Sequence, residues 1–295
     1  MLIYILSRGA NLYSTARIYR AALERRHNVR VLDHMECDLL VEGNRFLVVY
    51  NNEILLKPDV VIPRIGSSAT IHGTAVVRHF QEMGVPVLNC AEGILNSRDK
   101  FRSLQKLAGN HIPVPASYFS NDLHHAEKIV KRTLGYPFIL KVLEGTQGLG
   151  VHLVKNEIEA HELFNQFVNA RTKVILQEFI EEFSGKDVRV FVVGTKVVAA
   201  MMRMAGEGEF RSNIHRGGKG VKIQLSEDEK EIAVRAVRVL GLQVAGVDIL
   251  RSKKGALIIE VNSSPGLEGI EGVTEVKIAE EMIQFVEQNY SNENK

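Results

Sequence analysis

Along the first hundred residues, short apolar runs alternate with helix-spaced stretches. Leu2–Leu6 and residues 29–32, 60–62 and 85–88 read as buried strands. Between them, residues 16–26 bring Ile18, Ala22 and Leu23 onto one helical face, and residues 74–83 form a second helical stretch that stops at Gly84. This order predicts a small α/β unit with a largely parallel sheet. Parallel sheets set their functional loops beyond the carboxyl ends of the strands, which singles out residues 7–14 and 64–73.

From about Ser97 the pattern changes. Helical spacing over 100–107 and 126–134 is followed by strands at 137–143, Val151–Val154 and 174–180. Asn156 with Glu159, and Ser226 with Glu229, carry the capping-box spacing at the starts of two further helices, the second ending at Gly241. Residues 187–193 and 196–202 form a hairpin about Gly194 and Thr195. A last hairpin pairs 244–250 with 256–261, an amphipathic helix covers 278–286, and 291–295 is a frayed tail. Antiparallel pairs interleaved with helices make this second part α+β.

Composition narrows the class. With 37 basic against 35 acidic residues, the net charge of +2 argues against a protein that lives on nucleic acid or an anionic membrane. No run approaches the roughly 20 apolar residues of a membrane span, and the N-terminus lacks the pattern of a signal sequence. A soluble cytoplasmic protein is expected. Cys37 and Cys90 stand far apart, so neither a disulfide framework nor a zinc site is indicated.

The last hairpin, VAGVDIL-RSKKG-ALIIEVN, carries the chemistry. Asp248 lies inside an apolar strand and Glu260 looks equally enclosed, a costly place for a carboxylate without a partner. Glu260 and Asn262 share a face by alternation. A three-residue turn of Lys253, Lys254 and Gly255 would set Asp248 opposite Glu260 and Gly246 opposite Asn262, leaving room above Asn262. That gives an all-oxygen set suited to Mg²⁺ or Mn²⁺. A two-residue turn would put Asp248 and Glu260 on opposite faces.

Two further segments fit a nucleotide. The turn EGTQGLG at 144–150 offers backbone N–H groups at Gly145, Thr146, Gln147 and Gly148 to an anion, although a plain flexible hairpin reads the same way. Lys141, on the incoming strand, either snorkels outward or meets a phosphate. Residues 203–220 gather Arg203, Arg211, Arg216 and Lys219 among glycines. They form either a solvated basic loop or a mobile loop that brings charge to a transferring phosphate. No Ser-His-Asp or Cys-His arrangement is present, so ATP-driven chemistry is the better expectation.

PRIG at 63–66, SRDK at 97–100, EGTQGLGV at 144–151, FRSNIHRGG at 210–218, AGVDIL at 245–250 and EVNSSPGLEGIE at 260–271 resemble the RimK family, in order and over nearly the whole chain. The resemblance implies a pre-ATP-grasp α/β domain over 1–97. It also implies two ATP-grasp subdomains, a lid over 98–178 and a metal-bearing part over 179–290. ATP and two Mg²⁺ or Mn²⁺ ions are the implied cofactors. Lys100 and Lys141 would meet phosphates and the adenine side, Glu178 and Phe179 the adenine edge, and Asp187 the ribose. Arg211, Ser212 and Asn213 would reach the nucleotide and reacting groups, and Arg203 the tetrahedral intermediate. Asp248, Glu260 and Asn262 match the metal positions, with Ser263 where alanine is expected.

The implied activity is ATP-dependent addition of L-glutamate to a protein C-terminus, that of the sixth small-subunit ribosomal protein. A homo-oligomer with no direct contact to nucleic acid is implied as well. The alternatives are another acceptor, such as the amino-group carrier of lysine biosynthesis or a cofactor, and a synapsin-like ATP-binding module without catalysis.

Overall fold

The computed structural model describes residues 1–120, 123, 126–143, 150–206 and 218–290. The first unit runs β1 (Leu2–Leu6), α1 (Tyr13–Glu24), β2 (Asn28–Leu32), β3 (Cys37–Glu42), β4 (Arg45–Tyr50), β5 (Glu53–Ile54), β6 (Val60–Pro63), α2 (Thr70–Glu82), α3 (Ala91–Arg98) and α4 (Lys100–Gly109). Strands β2, β1 and β6 pair in parallel in that order, as the apolar runs predict. The run at 85–88 does not become a full strand. It makes one parallel bridge, Val61 to Val87, because Pro86 accepts from Val61 N but has no N–H to carry the ladder on.

Residues 37–54, outside the predicted strands and helices, form an antiparallel sheet of β3, β4 and β5. Its second turn is Asn51–Asn52, with φ of 52° and 61°, the left-handed pair a tight hairpin requires. Asparagine tolerates that conformation better than most residues.

The middle unit runs β7 (Ser117–Phe119), α5 (Ala126–Thr133), β8 (Phe138–Val142), β9 (Val151–Val154), α6 (Glu157–Asn169) and β10 (Val174–Glu178). Its sheet is antiparallel, in the order β7-β10-β8-β9. Phe138, Leu140, Val174 and Leu176 pack under α5 and α6 through Val130 and Phe164. Alternation therefore sends Ile139, Lys141, Ile175 and Gln177 to the other face. Asn156 caps α6, but Glu159 returns to Lys155 N rather than to Asn156 N, so the expected box is displaced by one residue.

The last unit runs β11 (Lys186–Val193), β12 (Lys196–Met204), β13 (Lys219–Lys222), α7 (Glu227–Val239), β14 (Val244–Ser252), β15 (Gly255–Asn262), α8 (Glu268–Thr274) and α9 (Ile278–Tyr290). The sheet order is β13-β12-β11-β14-β15. The Ser226–Glu229 capping box starts α7, and Gly241 at φ +78° ends it. Gly241 is also where α3 comes closest, since a Cβ on Gly93 would stand 2.4 Å from Gly241 O.

One face of this sheet packs on α7 and α4 through Val188, Val190, Val247 and Ile249. The other face is divided. Its apolar end, with Phe191, Val193, Ala199, Met201 and Val244, joins α9 and the first unit's Ile3, Ile5, Ile18 and Ala22 in one core. Arg25 and His27 both hold Glu287 on α9, outside that joint.

Asn89 fastens the same joint from inside. It is 2% exposed. Its amide donates to Val244 O (2.7 Å) and Ser263 O (2.9 Å) and accepts from Gln243 N (2.7 Å) and Val244 N (2.9 Å). Both donors and both lone pairs are thereby used. Replacing Asn89 by alanine leaves four buried backbone groups without their partner, and about 2–4 kcal/mol of stability should be lost in urea unfolding.

Candidate functional site

The open end of the divided face carries charge. Asp187 and Arg189 on β11, Arg203 on β12, and Asp248 on β14 are directly opposite or two residues apart along a strand, so they share the face. Arg203 donates Nε and Nη2 to the two carboxylate oxygens of Asp187 (2.6 and 2.7 Å), and its Nη2 also lies 2.9 Å from Asp248 Oδ2. Arg189 grips Asp248 through both Nε and Nη2, the latter at 2.9 Å. Asp248 is 4% exposed and Arg203 7%. Burial alone would raise the Asp248 carboxyl, but Arg189 and Arg203 more than offset it and hold the group below its ordinary range. Burial opposes the charge on Arg203 too, and Asp248 and Asp187 together hold that group above its usual value.

Asp248 does pair with Glu260, and Gly246 with Asn262, by a different route from the expected one. Ser252 pairs with Gly255, so the turn holds two residues, Lys253 and Lys254. The register then shifts once between Asp248 and Ile249, where Ile259 on β15 is the extra residue of a bulge. Without that bulge, Glu260 would face the apolar core under α7. Glu260 is exposed rather than enclosed, because β15 is an edge strand. The space above Gly246 is filled by Pro265 and by Arg189, whose Nη1 would be 3.2 Å from an added Cβ. Asn262 Oδ1 accepts from Ser264 N (2.9 Å), which fixes the amide and the start of the following loop.

Cations face these acids from the other units. Lys100, at the start of α4, donates to Leu143 O (2.9 Å) at the end of β8. Lys141 donates to Gln177 Oε1 (2.6 Å), and Gln177 in turn to Ser117 Oγ (2.9 Å). Burial pushes both ammonium groups down, with Glu260 opposing the shift in each case. The sheet face bearing Lys141 therefore looks across at the last hairpin. Glu178 closes β10 by exchanging backbone and carboxylate bonds with Ala116. Gly145, Thr146, Gln147, Gly148, Arg211, Ser212 and Asn213 lie outside the described residues.

A model of the RimK-like ATP-grasp domain matches residues 97–286, and one of the RimK pre-ATP-grasp domain matches 1–94. The chain belongs to the RimK family of ATP-grasp ligases. A relative from Nitrosococcus oceani, described as a probable alpha-L-glutamate ligase, is 48% identical over 289 residues, covering 98% of this chain and 96% of the relative. A protein of the same description from Picosynechococcus is 46% identical over the same shares. Among solved structures, the ATP-grasp ligase PsnB with its minimal precursor aligns over 98% of this chain and 99% of that one, with TM-score 0.76 and 22% identity. A RimK domain protein from Sphaerobacter thermophilus aligns over 97% and 99%, with TM-score 0.71 and 18% identity. These two likenesses show the fold.

The RimK-family fold thus brings together Lys100, Lys141, Asp187, Arg203, Asp248, Glu260 and Asn262, which the sequence singles out. It adds three arginines that sequence reasoning does not: Arg189, Arg64 and Arg98. Arg189 carried a signal, since it alternates with Asp187 in a strand and must share its face. Arg64 opens one of the two loops marked as functional, whereas Arg98 carries no signal beyond its place in SRDK. Among the described residues no helix is long and apolar enough to cross a membrane, and no group of three His, Cys, Asp or Glu side chains forms a metal cluster.

Removing Arg203 takes a bidentate partner from buried Asp187 and one of two arginines from buried Asp248. Arg203→Met should lose about 3–5 kcal/mol at pH 7. Because the folded carboxyl of Asp248 lies below its unfolded value, its stabilisation is present above about pH 4 and lost as the pH falls further. The wild-type advantage in urea unfolding should therefore shrink below about pH 4.

Proposed function

We propose that the protein is an ATP-dependent α-L-glutamate ligase that extends the C-terminus of an acceptor protein. The observation that carries this reading is the approach of Lys100, at the start of α4, and Lys141, on the middle unit, to Glu260, which shares its sheet face with Asn262 and the doubly bridged Asp248. Acids on one side and cations on the other suit a metal-bound polyphosphate. The description of the 46–48% identical relatives as probable alpha-L-glutamate ligases supports glutamate as the amino acid. PsnB has been solved with its precursor, Mg and ADP, which supports a peptide acceptor and magnesium. The sixth small-subunit ribosomal protein is the acceptor we favour, on the motif resemblance.

The donor set fits a hard divalent ion. Glu260 is open to solvent, and Asn262 keeps one lone pair beyond its bond to Ser264. Asp248 accepts three bonds from its two arginines, which leaves it about one position for a metal. Glu260 and Asn262 would thus be the main ligands and Asp248 a partial one. The ion would supply charge neutralisation to the phosphates.

In the proposed reaction an acceptor carboxylate oxygen attacks the γ-phosphorus and the bond to ADP breaks, giving an acyl phosphate. The deprotonated amine of L-glutamate then attacks the acyl carbon, and phosphate leaves from the tetrahedral intermediate. Lys100 and Lys141 bind the phosphates and offset the charge that develops there. Asp187 would orient the ribose and Arg203 the intermediate, each held in place by the other. The N–H of Glu178 is already bonded to Ala116 O, so the backbone N–H of Phe179 is the donor left for an adenine edge. Arg211, Ser212 and Asn213 complete the nucleotide contacts in this reading. The lid at 98–178 closes on the part at 179–290, over the first unit at 1–97.

The test is mass spectrometry of a glutamate-ended peptide after incubation with ATP, Mg²⁺ and each amino acid in turn. We expect added mass in whole glutamate residues, with glutamate only, and none after chelation until Mg²⁺ or Mn²⁺ is restored. Glu260→Gln should lower turnover on the order of 10²–10³-fold while the protein stays folded. Product with an unrelated acceptor alone would reassign the acceptor, and normal turnover in Glu260→Gln would remove the metal assignment.

A further inference from the structure

Two guanidinium groups come to the junction of the first unit with the last sheet, and among the described residues neither forms an ion pair with a carboxylate. Arg64, just past the carboxyl end of β6, donates Nη2 to Pro265 O (2.6 Å). Arg98, the last residue of α3, donates Nη2 to Ile65 O (2.6 Å), the residue beside Arg64. Both acceptors are neutral carbonyls. Burial pushes Arg64 down to about 10, and the nearby charge of Arg98 adds to that shift. Arg98 is lowered by burial as well, with Glu260 the one acid that opposes it.

Polar atoms on the same segments are also unanswered. Arg98 Nε and, just before Pro265, Ser263 Oγ and Ser264 Oγ are buried without a hydrogen-bond partner among the described residues, and Ser263 is 2% exposed. Most buried polar atoms in folded proteins are satisfied. Two like charges held near one another, half-buried and with only neutral carbonyls as partners, are destabilising. Stability alone does not account for such a cluster, but an arriving anion does. Two planar donor forks suit a carboxylate, which accepts bidentate bonds. In the proposed reaction the nucleotide phosphates already have Lys100, at the start of α4, and Lys141, on the middle unit.

The geometry points to a carboxylate subsite made by Arg64 and Arg98, with Ser263 and Ser264 beside them, that holds one substrate's carboxylate next to Glu260. The carboxylate belongs either to the incoming amino acid or to the acceptor terminus. Anion binding here is read from the residues themselves. Its use in ligation rests on the proposed glutamate-ligase function.

Calorimetric titration separates the two sources. The full chain, with Mg²⁺ and a non-hydrolysable ATP analogue, is titrated with L-glutamate in one arm and with an N-acetylated, glutamate-ended dipeptide in the other. In Arg64→Met and Arg98→Met we expect the Kd for one probe to rise at least about tenfold, the equivalent of losing a charge-assisted bond. The Kd for the ATP analogue should stay within about twofold, and Arg98→Lys should fall between wild type and Arg98→Met. Both Met variants should melt close to or above the wild type, since each relieves a half-buried like-charge pair, whereas a merely structural pair would melt lower. The arm that responds names the substrate held. Unchanged affinity for both probes overturns the subsite, as does equal loss of the ATP analogue, or a wild type that binds neither probe. If the Met variants fail to fold, Arg98→Lys, which keeps the charge and loses the fork, must still weaken one probe. Probe binding that depends on the arginines without product in the peptide assay would reject the ligase reading and leave the subsite standing.

Discussion

The Asp248 carboxylate, enclosed between two arginines, is the interaction on which the site depends. It lies buried on β14, the fourth of five strands in the sheet, where an unpaired charge would be untenable. Arg189 and Arg203 come from the two neighbouring strands on one side, and Asp187 completes the balance by holding Arg203. The four groups bring two negative and two positive charges into a nearly dry layer. Their bonds are charge-assisted and two of the pairs are bidentate, which fixes direction as well as distance. The strands β11, β12 and β14 are thereby locked in one register. Glu260 and Asn262, on the next strand, take their positions from it.

The second constraint is the division of that sheet face. Its apolar end is welded to the first unit and α9 in a single core, so the charged end has a rigid neighbour. Asn89 ties the loop after β15 to the start of β14 through four hydrogen bonds. The charged end therefore has its backbone held from behind. The middle unit is attached differently. Its core of Phe138, Leu140, Val174 and Leu176 is closed on itself under α5 and α6. It faces the last hairpin through the charge of Lys141 toward Glu260, with Lys100 of α4 alongside, and its core cluster includes no described residue of that hairpin.

Much of this was legible in the chain itself. Parallel strands, capped helices, the Gly194 hairpin and the acidic positions of the last hairpin all depend on signals within a dozen residues. Alternation decides faces, Ser226 and Glu229 decide a helix start, and glycine with positive φ decides where α7 stops. An aspartate within Val-Ala-Gly-Val-Asp-Ile-Leu also announces by itself that something must neutralise it. The sheet at 37–54 was equally local, in its Asn51–Asn52 turn, but paired asparagines are a weaker signal than Asn-Gly.

What neutralises Asp248 was decided only by the tertiary structure. Arg189 lies 59 residues away in sequence, and no local pattern states which strands will be neighbours. The same holds for Arg64, which finds Pro265 across 201 residues, and for Arg98, whose meeting with Arg64 creates an anion site that neither motif encodes. The register of the last hairpin lies between the two cases. The sequence supplied Lys253, Lys254 and Gly255, which allow either turn length. Packing chose the two-residue turn and restored the Asp248–Glu260 pairing with a bulge at Ile259, because the apolar side chains on either side of it must all reach the core under α7. Local chemistry thus fixed which groups needed partners, and long-range packing fixed which partners they received.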